Sequence, residues 1–181
     1  GGSSGARSRN APRKGERVHV EVSVTFEEAA FGVDKEILVA ILRIETNFGS
    51  YTGSYPVFNS LLTRAVIENR RSQWAEEELT YLLRFAKEQG RDPFSIKGSW
   101  AGAFGIPQFI PSSYVRFAVD GNGDGLVNLY DFTDAVASVA NYLRAHGWEK
   151  GNREQSWNAV YAYNHCDNYV EAVFAYARAT K

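Results

Sequence analysis

The sequence predicts a mainly α-helical domain with at most a small β element. Three observations carry that expectation. Apolar residues recur at helical spacing over residues 35–48, 73–89 and 132–146. A glycine closes each stretch: Gly49, Gly90 and Gly147. Clear strand-like alternation occurs once, at Val18, Val20, Val22 and Val24. With 181 residues, 44% of them apolar, one domain with a substantial core is the default.

The elements follow in order. Residues 1–16 read as a disordered tail, opening GGSSG and carrying Arg7, Arg9, Arg13 and Lys14. The chain contains no methionine, so its start reads as trimmed, and neither leader nor anchor can be judged from it. No apolar run approaches the roughly 20 residues of a membrane span. Basic and acidic residues nearly cancel, 20 against 21, so net charge gives no reason to expect nucleic acid. A single cysteine, Cys166, excludes an internal disulfide framework and is expected to be a small buried thiol.

After the valines, Thr25 and Glu28 form a capping-box pattern before a short helical turn that Gly32 stops. Asp34 is the expected N-cap of a helix over 35–48. Residues 49–56 are turn-rich. Residues 57–70 read as helix with Leu61, Leu62, Ala65 and Val66 inward. Residues 73–89 place Trp74, Leu79, Leu82, Leu83 and Ala86 on one face. The stretch KGSWAGAFGIPQFIPSSYVRF at 97–117 reads as loop. Residues 132–146 turn Ala135, Val136, Val139, Ala140 and Leu143 inward, and further helix is expected over 155–179 around YAYNH.

The helix at 35–48 raises a chemical question. Leu38, Ile41, Glu45 and Phe48 share one face, and Ile37, Ile41, Ile44 and Phe48 form an overlapping row. Glu45 therefore sits at the edge of an apolar stripe. From the helix alone, a solvated carboxylate at a frayed end is the favoured reading. The alternative is a carboxyl in a poorly hydrated cleft, where apolar surroundings raise its pKa. Glu68, Glu76, Glu77 and Glu78 lie in charged stretches and are expected at the surface, leaving Glu45 without a second carboxylate in a comparable setting.

Residues 120–131, DGNGDGLVNLYD, fit the EF-hand loop pattern. Asp120, Asn122 and Asp124 fill positions 1, 3 and 5. Gly125 takes the sharp turn, Leu126 offers its carbonyl, and Asn128 and Asp131 fill positions 9 and 12. Hard oxygen donors at this spacing suit Ca2+. The loop stands alone, which favours a structural ion over a sensor.

Taken together, IETNFG with Glu45, GSWAGAFGIPQFIPSSY at 98–114 and the loop at 120–131 resemble the catalytic domain of membrane-bound lytic transglycosylase B type enzymes. The resemblance runs from about residue 30 to 175. It implies a goose-lysozyme-like fold over 17–181, a bacterial cell-envelope location (periplasmic or outer-membrane-associated), a monomer, and peptidoglycan glycan strands as substrate. It implies Glu45 as the catalytic acid/base, with Ser99, Gln108, Tyr163, Asn164 and Tyr169 lining the cleft. Trp74 stands where the family carries a sugar-stacking tyrosine. Asp120, Asn122, Asp124, Leu126, Asn128 and Asp131 would hold a structural Ca2+. The implied reaction cleaves the bond from N-acetylmuramic acid to N-acetylglucosamine without water and leaves a 1,6-anhydro end. The rivals are a goose-type hydrolase, which needs a group to activate water, a non-catalytic wall-binding module, and a calcium-responsive interaction protein.

Overall fold

The computed structural model describes residues 30–67 and 70–180. The alternating valines, the Thr25–Glu28 pattern, the 1–16 tail and Glu68 lie outside them. The described chain runs α1 (Lys35–Thr46), β1 (Tyr55–Pro56), α2 (Val57–Val66), α3 (Ser72–Glu88), a 3-10 turn (Pro93–Ser95), β2 (Lys97–Gly98), α4 (Pro111–Phe117), α5 (Phe132–Ala145), α6 (Arg153–Tyr163) and α7 (Asp167–Ala179). The two strands pair antiparallel, Tyr55 opposite Gly98 and Pro56 opposite Lys97. The expected class, helical with one small β element, is what these residues form.

Helix α1 runs through the core. Leu38, Ala40, Ile41 and Leu42 are fully buried, and α1 packs against both α5 and α7. Its N-cap position is Asp34, as expected, but the carboxylate makes no capping bond. It pairs instead with Lys150 at 3.1 Å. The helix ends two residues earlier than the periodicity suggests. Asn47 and Phe48 take left-handed backbone at φ 50° and 57°, and Gly49 continues it at 81°. Such conformations cost energy for residues with a Cβ and persist where the surroundings hold them. Here the N–H groups of Asn47 and Phe48 bond to the carbonyls of Arg43 and Leu42. Ile44 falls outside the buried row, at 39% exposure.

Two other helical faces are rotated from expectation. On α2 the inward residues are Val57 and Leu61, while Leu62 and Val66 are exposed. On α3 the buried line is Ala75, Glu78, Leu82, Phe85 and Ala86. Leu83 is exposed, and Trp74 and Leu79 are half-buried. The reason is Glu78. It is not a surface residue: 3% of it is exposed. One carboxylate oxygen accepts the Ser112 N–H at 2.8 Å and the other the Ser112 hydroxyl at 2.6 Å. Ser112 lies in the first turn of α4, where N–H groups lack partners within the helix. A carboxylate from a neighbouring helix thus caps α4, and α3 turns its contact line to bring it there.

The stretch expected as loop at 97–117 therefore ends in a helix, with Pro111 in its first turn. The C-terminal region is two helices, not one, broken at residues 164–166 between α6 and α7. Helix α5 matches its expected inward face, with Ala135, Val136, Val139, Ala140 and Leu143 buried. No helix among the described residues is long and apolar enough to cross a membrane. Truncating Glu78 would leave two buried donors without an acceptor. Glu78→Ala is expected to lower unfolding free energy by about 2–3 kcal/mol, read from the denaturant midpoint. A midpoint equal to that of the parent chain would show that the cap does not matter.

Candidate active site

Glu45 occupies the last turn of α1, and a closed chain of contacts holds it. Its Oε1 accepts a hydrogen bond of 2.7 Å from the Tyr169 hydroxyl, reaching across from α7. The Tyr169 ring lies parallel to that of Tyr163, with centroids 6.4 Å apart and 4° between planes. The Tyr163 hydroxyl donates to the Pro107 carbonyl at 2.5 Å. One residue back, the Ile106 carbonyl accepts from the Thr46 hydroxyl at 2.8 Å. Thr46 is the chain neighbour of Glu45, so the circuit returns to its start.

Thr46 is the residue that sequence reasoning missed. It is 4% exposed, and its hydroxyl also accepts the Gly49 N–H at 2.9 Å. One side chain therefore shapes the left-handed turn after α1 and ties it to the glycine-rich loop. A hydroxyl in the last turn of an amphipathic helix was the available signal, since Ser and Thr there bond to nearby backbone.

The loop is shaped by its own backbone needs. Gln108 is left-handed at φ 52°. Its amide nitrogen donates to the Thr52 and Gly105 carbonyls at 3.0 and 2.9 Å. Its amide oxygen makes no hydrogen bond among the described residues and stays available as an acceptor. Gly98 admits no side chain: a Cβ there would sit 2.0 Å from the Ala103 carbonyl oxygen. Ser99 accepts the Ala101 and Ala103 N–H groups at 3.3 and 3.1 Å, so its oxygen organises the turn. Asn164 is exposed between α6 and α7, and its side chain makes no hydrogen bond among the described residues. Trp74 lies in the first turns of α3, partly buried against the core, and among the described residues no hydrogen bond or ring contact joins it to this circuit. Cys166 is exposed, not buried.

The electrostatics follow from the packing. Glu45 is half-buried, and burial raises its carboxyl from 4.5 to about 7, against the Tyr169 bond, which lowers it. Among the described residues no second carboxylate acts on it. Burial, then the nearby Glu45, also pushes the Tyr163 and Tyr169 hydroxyls well above the usual tyrosine range. Both phenols therefore stay protonated as donors. Near neutral pH the site can both hold a proton on Glu45 and release it.

The loop at 120–131 lies beyond the glycine-rich segment and is bonded to it. The Ile106 N–H donates to the Leu129 carbonyl at 2.8 Å, and the Tyr114 hydroxyl to the Val127 carbonyl at 3.0 Å. Asp120 accepts the Gly123 and Gly125 N–H groups at 2.6 and 2.7 Å. Asn122, Asp124 and Asn128 each accept an N–H from two residues further on. Asp131, at position 12, has a further role. It caps α5 by accepting the Thr133 and Asp134 N–H groups at 2.9 and 3.2 Å. The carboxylate facing the inside of the loop belongs to Asp134, which the motif left out. It is fully buried and accepts N–H groups from Gly121, Asn122 and Asn128. Among the described residues no group of three His, Cys, Asp or Glu side chains is placed to hold a metal ion. Any cation here would rely on asparagine and backbone oxygens as well.

This helical domain, with a half-buried acid at the end of its central helix, belongs to the transglycosylase SLT domain family, whose profile matches residues 7–157. The membrane-bound lytic murein transglycosylase B of Escherichia coli (strain K12) is 45% identical over 123 residues, 68% of this chain and 34% of the relative. The chain thus spans about a third of that relative's length. Among solved structures, the E. coli lytic transglycosylase SLT35 in complex with bulgecin A superposes with a TM-score of 0.86 at 29% identity, covering 90% of this chain and 70% of that one. The same enzyme has been solved in complex with calcium, at the same TM-score, identity and coverage. SltB3 from Pseudomonas aeruginosa, in complex with NAG-anhNAM-pentapeptide, gives 0.81 at 26% identity, over 88% of this chain and 60% of that one.

The raised carboxyl has a consequence for stability. Between pH 4.5 and about 7 the unfolded chain carries an ionised Glu45 while the folded chain keeps the proton. The folded state therefore loses stability as pH rises through that window, up to about 3 kcal/mol in full above pH 7. Glu45→Gln cannot ionise. Its thermal midpoint is expected to equal that of the parent near pH 4 and to exceed it by several degrees at pH 8. A constant difference across this range would mean that Glu45 titrates as an ordinary carboxylate.

Proposed function

We propose that this chain is the catalytic module of a lytic transglycosylase that cleaves peptidoglycan glycan strands. The observation that carries the reading is Glu45: a half-buried carboxyl poised near pH 7, with Tyr169 donating to it and no second carboxylate acting on it. A two-carboxylate glycosidase needs a nucleophile or a base besides its acid. One group that gives and then takes a proton needs a pKa near the working pH, which is what burial supplies here.

In this reading neutral Glu45 protonates the glycosidic oxygen linking N-acetylmuramic acid to N-acetylglucosamine. The C1–O bond breaks, and the acetamido group of the substrate stabilises the positive charge developing at C1. Glu45, now ionised, accepts the proton of the muramoyl 6-hydroxyl. That oxygen bonds to C1 and closes a 1,6-anhydro ring. No water is consumed, and Glu45 ends neutral. Tyr169 steadies the carboxylate between the two transfers. The Gln108 amide oxygen and the side chains of Ser99 and Asn164 are the groups offered to the sugar. Tyr163 sets the position of the loop through Pro107, and Trp74 is left out of the site.

The motif at 120–131 is read as a structural Ca2+ site, with Asp120, Asn122, Asp124, Asn128, Asp131 and the Leu126 carbonyl as donors. All are hard oxygens, and Gly125, at φ 86°, makes the turn the chain needs. The calcium complex of SLT35 supports the choice of ion. The bound ion would offset the negative charge of the loop and hold its ends together. Addition of Ca2+ to chelator-treated protein is expected to raise the thermal midpoint by several degrees, with Mg2+ much weaker. No shift with either ion would remove the ion from this account. The name of the E. coli relative, membrane-bound, supports a place in the bacterial cell envelope.

Mass spectrometry of soluble products from purified peptidoglycan tests the reaction. The parent chain is expected to release anhydro-muropeptides, one water lighter than hydrolytic products, and Glu45→Gln is expected to release none. Reducing-end products would make this a hydrolase of the lysozyme kind. The rate should fall as pH rises through about 7, because the acid form of Glu45 is lost. Tyr169→Phe removes the bond that lowers this pKa, so the surviving activity should shift its alkaline limb upward.

A further inference from the structure

Trp100 is 67% exposed. Single exposed apolar side chains are common on protein surfaces, but this one is fixed in place at both its backbone and its ring. Its backbone sits at the tip of a tight turn. The Ser99 N–H donates to the Ala103 carbonyl at 2.8 Å, the Gly102 N–H to the Ser99 carbonyl at 3.0 Å, and the Ser99 hydroxyl oxygen accepts the Ala101 and Ala103 N–H groups. Its ring is fixed as well: the Arg64 guanidinium, from α2, lies 4.5 Å from the ring centroid. The indole is thus backed by a cation while most of the side chain stays exposed. Tyr55, 55% exposed, stands on β1 opposite Gly98, two residues before Trp100.

We propose that Trp100, backed by Arg64, is an outlying saccharide subsite that stacks on one pyranose ring of the glycan strand beyond the sugars bound at Glu45. The inference rests on the proposed function. The apolar faces of pyranoses suit a flat aromatic surface, and a ring already held in place binds with little loss of entropy. Continuity selects a glycan over other occupants. Ser99 belongs to the glycine-rich loop proposed to line the cleft, and Trp100 is its chain neighbour. A strand leaving the cleft across Ser99 meets the indole next.

Calorimetric titration on the Glu45→Gln background, which prevents turnover, tests the proposal. The probes are a disaccharide and an eight-sugar peptidoglycan strand without stem peptides. Adding Trp100→Ala is expected to weaken binding of the eight-sugar strand about 5- to 20-fold and of the disaccharide less than twofold. Trp100→Phe should recover most of the loss, and Arg64→Gln should show part of it. An unchanged affinity for the long strand would overturn the subsite, and an equal loss on both probes would overturn its outlying position. If Glu45→Gln alone bound neither probe, the underlying glycan reading would fall. If Trp100 were instead needed for binding to phosphatidylglycerol vesicles and not for glycan, the face would belong to a lipid surface, against the proposal.

Discussion

The Thr46 hydroxyl donates to Ile106 and accepts from Gly49, and the geometry of the candidate site depends on those two bonds. The first joins the end of the central helix to the glycine-rich loop across 60 residues of sequence. The second fixes the turn that carries the chain away from the helix. Without them, Glu45 would sit in a last helical turn like any other, free to fray. With them, the carboxyl is held against Tyr169 on one side while its chain neighbour grips the loop on the other. Three left-handed residues in succession are tolerated at 47–49 because the surroundings determine them.

That rigidity decides the balance of forces on Glu45. Burial raises its pKa and the Tyr169 hydrogen bond lowers it, and burial is the larger effect. A mobile carboxyl would swing toward water and recover an ordinary pKa. The tyrosine pair prevents this: Tyr163 anchors to the Pro107 carbonyl, and its ring lies parallel to that of Tyr169. Their own hydroxyls are pushed up by the same burial, so both stay protonated near neutral pH. Two aromatic side chains thus hold the carboxyl in place without titrating beside it.

The helical class and the positions of α1 and α5 were legible from periodicity. Tyr163 and Tyr169 were named only through the family resemblance, as substrate-binding residues, and their bonds to Pro107 and Glu45 are visible only in the fold. The misreadings share a cause. Periodicity ranks residues by apolarity, so it placed Leu62, Leu83 and Ile44 inward and Glu78 outward. Packing here is decided by polar demands that the pattern does not encode. Ser112 needs an acceptor, and Glu78 supplies it from another helix. At the loop 120–131 the motif does not show that Asp131, its position 12, also caps the first turn of α5. Asp134, one turn on, then points its carboxylate at the loop. Such long-range hydrogen bonds are invisible to any local window.

Ile106 explains how two separate motifs come to act as one unit. Its N–H bonds to Leu129, at the far end of the 120–131 loop, and its carbonyl bonds to Thr46. One peptide segment therefore faces the acidic loop with its donor and the Glu45 helix with its acceptor. Close approach is required on the loop side, since a Cβ on Gly105 would lie 2.6 Å from the Leu129 side chain. Any change that loosened residues 127–129 would move Ile106, and through Thr46 would move the end of α1. An ion in the acidic loop would then matter to the acid without touching it, through two hydrogen bonds on a single residue. The sequence order of the motifs, acid first and acidic loop last, hides this adjacency, because the residue that joins them is an isoleucine with no chemistry of its own.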